Sequence, residues 1–265
     1  MLIIQAFEAS PPYFYTVMGI LGLFVGSFLN VVAARIPQGQ SLVTPPSHCD
    51  SCGHRLAVPD LIPVWSWFRS GGKCRYCGEA FSIQYPLWEV LTSVIYILLA
   101  VTLGPVPELI VGLLLVSLLI AISQTDLRLY LIPDKIIVFG IAAGIVLRIF
   151  IHDAPWWDYV GGFFLGGGLL YLAAVLGEWL LKKEAMGGGD IKLLAMLGIY
   201  IGMKGVLLTI FLGSVIGLII ILILLLTGVM KNDQPIPFGP FLAIGACVAY
   251  LWGELLVQAY LNLLT

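Results

Sequence analysis

Apolar positions along this chain fall into long, nearly unbroken blocks, and polar positions gather between them. The blocks cover about 13–34, 84–103, 109–125, 135–151, 158–181, 191–203, 205–230 and 239–262. Several reach the roughly 20 residues that a helix needs to cross the hydrocarbon core of a bilayer. The sixth is short and opens at a glycine run, so it reads either as a crossing or as a broken, re-entrant helix. The predicted fold is an all-α polytopic membrane protein of about eight transmembrane helices. Its parts are a first transmembrane helix (1–34), one sizeable extramembrane loop (35–83) and a multi-helix membrane core (84–265).

Composition agrees with this class. The 265 residues are 60% hydrophobic and 11% charged, with a mean hydropathy of +1.03, more apolar surface than a soluble domain of this size can bury. Net charge is −2 and no basic tract is present, so no nucleic-acid partner is expected. The first span is too long, and too weakly basic at its start, for a cleaved signal peptide, so it is expected to be retained.

The cations orient the chain. With the N-terminus outside, eleven of the thirteen Lys and Arg fall on the cytoplasmic side: Arg35, Arg55, Arg69, Lys73, Arg75, Arg128, Lys135, Lys182, Lys183, Lys192 and Lys231. Only Arg148 and Lys204 fall outside, and cytoplasmic loops carry the basic excess. If the sixth block does not cross, only Lys204 and Lys231 change sides. The 35–83 loop and two acidic residues at span ends, Asp126 and Asp190, then all face the cytoplasm.

Those two aspartates carry the candidate chemistry. Asp126 ends the third block and Asp190 opens the sixth, directly after Gly187-Gly188-Gly189. An ionisable side chain at bilayer depth costs about 2.5–3.5 kcal/mol on insertion scales, which makes it a functional hypothesis by default. Two carboxyls meeting in a low-dielectric site cannot both ionise, and a pair sharing one proton drives an aspartic protease. Plainer readings stand beside this one: Asp190 as an N-cap after a glycine loop, Asp126 as an interfacial charge paired with Arg128, and Asp134 as the N-cap of the fourth span with Pro133 ending the loop. The glycines would let a substrate backbone approach Asp190 closely, although glycine is also common in ordinary loops. Other hydrolytic schemes fare worse. There is no H-E-x-x-H, the histidines are His48, His54 and His152, and Ser27 and Ser214 have no histidine at their depth.

The loop holds Cys49-x-x-Cys52 and Cys74-x-x-Cys77, each followed by a glycine, with 21 residues between the pairs. This spacing predicts a four-thiolate zinc site that is closed and structural, folding the loop and leaving no position for a catalytic water. Two disulfides are the alternative, disfavoured in a reducing compartment. His48 and His54 read as loop residues, and Cys247 as a residue filling space in the last span.

Taken in order, these motifs resemble the bacterial type IV prepilin peptidase family, the G-x-G-D membrane aspartic proteases. The resemblance rests on Gly26-Ser-Phe-Leu-Asn30-Val-Val-Ala-Ala-Arg35-Ile-Pro37, both cysteine pairs, and Gln84-Tyr85-Pro86-Leu-Trp-Glu89. It continues with Asp126 followed by Pro133-Asp134, Gly187-x-Gly189-Asp190 with Lys192, and Pro237-Phe-Gly239-Pro240. It implies a leader peptidase of the bacterial inner membrane, with Asp126 and Asp190 as catalytic pair and Asp134 a less favoured participant. The implied substrates are prepilins, and pseudopilins of type II secretion, with a basic leader and an apolar N-terminal helix that docks among membrane lipid. Family members with the four-cysteine loop also methylate the new N-terminus with S-adenosylmethionine, so methylation is implied too. Glu89 and Arg35, at the membrane edge of the loop, are candidates to hold the methyl donor or the amine; pairing with each other or with headgroups is the alternative. Asp50, Asp60 and Glu79 are candidates to attract the leader, against plain solvated charge. Readings from other classes are a leader peptidase without methylation, a proton-coupled transporter and an assembly scaffold. The transporter reading is weakened by acids gathered at one face and by the lack of an internal repeat.

Overall fold

The computed structural model describes residues 10–182, 187–228 and 236–264. Lys183 and Lys231, which enter the charge pattern, lie outside the described residues. The long helices are α1 (Pro11–Arg35), α3 (Gln84–Leu103), α4 (Glu108–Leu129), α5 (Asp134–Phe150), α6 (Trp156–Leu181), α7 (Gly188–Leu226) and α8 (Gly239–Leu264); a short α2 (Trp65–Arg69) lies in the loop. Among the described residues there is no β-strand, only isolated bridges in that loop. Among the described residues, six helices are long and apolar enough to cross a membrane. The expected all-helical membrane fold is therefore observed.

The chain forms two compact units, one up to Ala121 and one from Ile122. In the first, α1 and α3 pack along a stripe of small residues. A Cβ on Gly22 would stand 2.6 Å from the Ser93 Cα, and one on Gly26 would stand 2.8 Å from the Glu89 Cα, so only glycine permits this approach. Side chains then tie the helices: Ser93 Oγ donates to Gly19 O at 2.8 Å and Asn30 Nδ2 to Tyr85 O at 3.2 Å.

In the second unit, α7 is two limbs. Gly202 lies in the left-handed region (φ 67°, ψ −175°), outside helical geometry. A continuous helix from Gly189 to Gly217 would separate those glycines by about 42 Å at 1.5 Å per residue. Instead Ile132 lies against both Gly189 and Gly239, and Phe241, close after Gly239, lies against Gly217. The chain must therefore reverse at Gly202. The limb before it, 188–201, is about 21 Å long, shorter than the roughly 30 Å hydrocarbon core. This limb is the short sixth block, and the limb after Gly202 is the seventh.

Breaking a helix leaves backbone groups unpaired on both sides, and two charged side chains, Arg148 buried and Asp158 half-buried, answer this. Arg148 donates through Nη2 to the Tyr200 carbonyl at the end of the first limb, its guanidinium 4.7 Å from the Tyr159 ring centre. Asp158 Oδ1 accepts the Met203 N–H at 3.4 Å at the start of the second.

Candidate active site

Asp126 lies in the last turn of α4 and is 6% exposed. Its Oδ2 accepts the Gly239 N–H at 2.9 Å. Gly239 opens α8 and Pro240 follows it, so this N–H has no partner within the helix and lies at the positive end of its dipole. Asp190 lies three residues into α7, where Gly187 takes the N-cap position and no side chain caps the helix. It is thus not the cap that the plainer reading expected. Ile132 bridges the two regions, touching the Gly189 side at 3.0 Å and the Gly239 side at 3.5 Å from where a Cβ would stand. Asp126 on the Gly239 N–H and Asp190 directly after Gly189 thus flank backbone that a single isoleucine side chain spans. Glycine surrounds Asp190: a Cβ at Gly188 would meet nothing within 4 Å, and one at Gly187 only Asp190 Oδ2 at 3.7 Å.

The neighbouring candidates are arranged differently from one another. Pro133 is the N-cap of α5 and Asp134 its first residue, so Asp134 is not the cap expected of it. Asp134 Oδ1 instead accepts from Lys192 Nζ at 2.7 Å, with the two side chains 66% and 53% exposed. Gly239 was not assigned a role from sequence. The visible signal was a glycine before a proline at a helix start; its partner, Asp126, is 113 residues away.

In the first unit the four thiols converge. Sγ atoms of Cys49, Cys52, Cys74 and Cys77 all lie within 4.8 Å of one another, and all are free of disulfides. Around a tetrahedral zinc with bonds of about 2.3 Å, sulfurs stand about 3.8 Å apart; Cys49 and Cys77 Sγ are 3.8 Å apart. The two knuckles repeat one geometry. Cys49 N–H donates to His54 O and Gly53 N–H to Cys49 O; Cys74 N–H donates to Glu79 O and Gly78 N–H to Cys74 O. Gly53 and Gly78 make these turns at φ 70° and 77°. Backbone N–H groups of Cys77 and Tyr76 aimed at Cys74 bring its thiol down to about 7, while Cys77, among the neighbouring thiols, is pushed up to about 12, so in the absence of metal the cluster shares protons. The donor set fits zinc. His54 stacks on Tyr76 and His48 lies against Pro46 O, so both are loop residues. Of the acidic loop residues, Asp60 is occupied by Arg75 Nε at 2.6 Å and Ala57 N–H at 3.1 Å.

Glu89 and Arg35 do not pair among the described residues. Glu89 Oε2 accepts the Val64 N–H at 2.7 Å, and Arg35 Nη1 donates to Ser41 O at 3.0 Å. Both line one cavity of about 740 Å³ between the loop, the end of α1 and the start of α3.

Fold and sites together define a multi-pass membrane protein with a carboxylate pair at helix ends and a zinc-type loop. The Bacterial Peptidase A24 N-terminal domain family matches residues 20–103, and the Type IV leader peptidase family matches residues 113–222. The chain is similar to proteins called prepilin leader peptidase/N-methyltransferase. That of Bacillus subtilis (strain 168) is 32% identical over 248 residues, covering 94% of this chain and 98% of the relative. That of Pseudomonas putida is 36% identical over 283 residues, covering 96% of each. No solved structure matches the chain. The chain belongs to the type IV leader peptidase family.

Proposed function

We propose that Asp126 and Asp190 are the catalytic pair of an aspartic endopeptidase that removes the basic leader of prepilins, and of type II secretion pseudopilins, at the cytoplasmic face of the bacterial inner membrane. The observation that supports this reading is two carboxylates from separate helix ends brought to neighbouring backbone, Asp126 bonded to Gly239 N–H and Asp190 following Gly189, with Ile132 against both glycines. The ionised carboxyl takes a proton from water as the water oxygen attacks the scissile carbonyl carbon. The protonated partner donates to the carbonyl oxygen, and collapse of the tetrahedral species passes a proton to the leaving amine. The two titrate as a pair, so acid and base are not assigned separately. Gly187 and Gly189 admit the substrate backbone, Gly239 orients Asp126, and Pro133 and the Asp134–Lys192 pair support the turn beside them. The substrate's apolar helix lies among lipid and the enzyme's spans, its basic leader in the cytoplasm.

The relatives' names support a second step on the same product, N-methylation of the new N-terminal residue with S-adenosylmethionine as donor. Cys49, Cys52, Cys74 and Cys77 would hold a structural zinc that folds the loop.

Leader removal from a purified prepilin, followed by mass spectrometry, tests the peptidase. Asp126→Asn and Asp190→Asn are expected to abolish it while inserting normally; cleavage at the wild-type rate in either would overturn the assignment.

A further inference from the structure

We propose that Tyr130 is a specificity-determining residue of the peptidase, standing beside the carboxylate pair to receive the first large apolar side chain after the cut; this rests on the peptidase reading above.

The backbone at this position is one that tyrosine avoids. Tyr130 follows the last residue of α4 with φ 52°, in the left-handed region, and its N–H donates to the Asp126 carbonyl at 2.9 Å. This is a helix end closed by a single left-handed residue, a place where glycine is the usual choice. Among the described residues, the other non-glycine positions with positive φ are Val64 (62°) and Lys182 (53°). A glycine at 130 would make the same closing bond without the crowding that a Cβ brings. Support of the Asp126 turn therefore does not account for a tyrosine; its side chain must.

Placement says what that side chain meets. Ile132 is buried against Gly189 and Gly239, so the segment leaving α4 runs from Asp126 to the backbone beside Asp190 within six residues. Along that stretch Leu127, Leu129, Tyr130 and Leu131 are exposed and form an apolar rim. A peptide reaching both carboxylates passes this rim. Its basic leader gains nothing from apolar surface, whereas the residues after the scissile bond open the apolar helix and do. The large, stiff ring of tyrosine offers them contact area at little cost in side-chain freedom. An aromatic at a membrane interface also serves as a lipid anchor, but that role is blind to which residue the substrate carries.

Cleavage kinetics of the full-length protein separate the two roles, using purified prepilins with leucine or alanine at the first position after the cut. The wild type should prefer the leucine substrate. Tyr130→Gly should lower kcat/KM for it by about tenfold and change that for the alanine substrate by less than about threefold. Tyr130→Phe should keep the wild-type preference, and the melting temperature of Tyr130→Gly should not fall. In Asp190→Asn protein, which holds prepilin uncut, a photoreactive leucine analogue at that position should crosslink within residues 127–131. Equal loss on both substrates, an unchanged preference in Tyr130→Gly, or crosslinks confined to other segments would overturn the role of Tyr130 and leave the catalytic pair standing. A wild type that removes no leader, or Asp190→Asn that removes it at the wild-type rate, would overturn the peptidase reading and this inference with it.

Discussion

The unit up to Ala121 and the unit from Ile122 both bring carboxylates to helix ends, yet they surround them with different material. Glu89 is enclosed by side chains and by a strained loop backbone whose fold rests on a four-thiol cluster. Asp126 and Asp190 are surrounded by glycine backbone at Gly187, Gly188, Gly189 and Gly239 and need no metal-folded wall. Bare backbone beside the aspartates leaves room for a peptide chain, whereas Glu89 stands among side chains and is held by the loop backbone at Val64 N–H. The contrast predicts that the two reactions can be damaged separately.

The largest effect should come from the pair itself. Asp126→Asn or Asp190→Asn is expected to slow leader removal by about 10²–10⁴-fold, measured as cleaved prepilin per unit time. Next is Gly239→Ala, whose Cβ would stand 2.7 Å from Asp126 Oδ2. Displacing that carboxylate should reduce cleavage by about 10–100-fold without altering zinc content. Replacing Cys49 and Cys74 together with serine should release the metal and raise hydrogen exchange across 35–83. The methylated share of product should then fall by about tenfold or more, with a smaller loss of cleavage. Normal zinc content in that variant would contradict the metal assignment. The smallest effect is expected for Lys192→Ala, which breaks an exposed ion pair and should change cleavage by less than about threefold.

How much of this was legible in the sequence follows from the range of each interaction. Apolar blocks report local burial in lipid, so helix positions followed closely, including the short limb at 188–201. The cysteine pairs are local turns with a fixed glycine, and their convergence was readable from spacing. Contacts across the chain were not. Nothing around Gly202 distinguishes it from the glycines at 198 and 205, so the reversal, with Arg148 and Asp158 answering its open backbone groups, emerges only from packing. Val64 is a residue type that avoids the left-handed region, so no sequence signal points to its bond with Glu89. Lys192 stands in the motif around Asp190, but its partner Asp134, 58 residues away, is set by the fold.

The most direct test is mass spectrometry of a prepilin incubated with the purified protein, with and without S-adenosylmethionine, alongside Asp126→Asn and Asp190→Asn. The account predicts loss of the leader in the wild type, a further gain of about one methyl group only with the donor, and no cleavage in either variant. Leader removal by Asp126→Asn or Asp190→Asn at the wild-type rate would contradict the assignment of the pair.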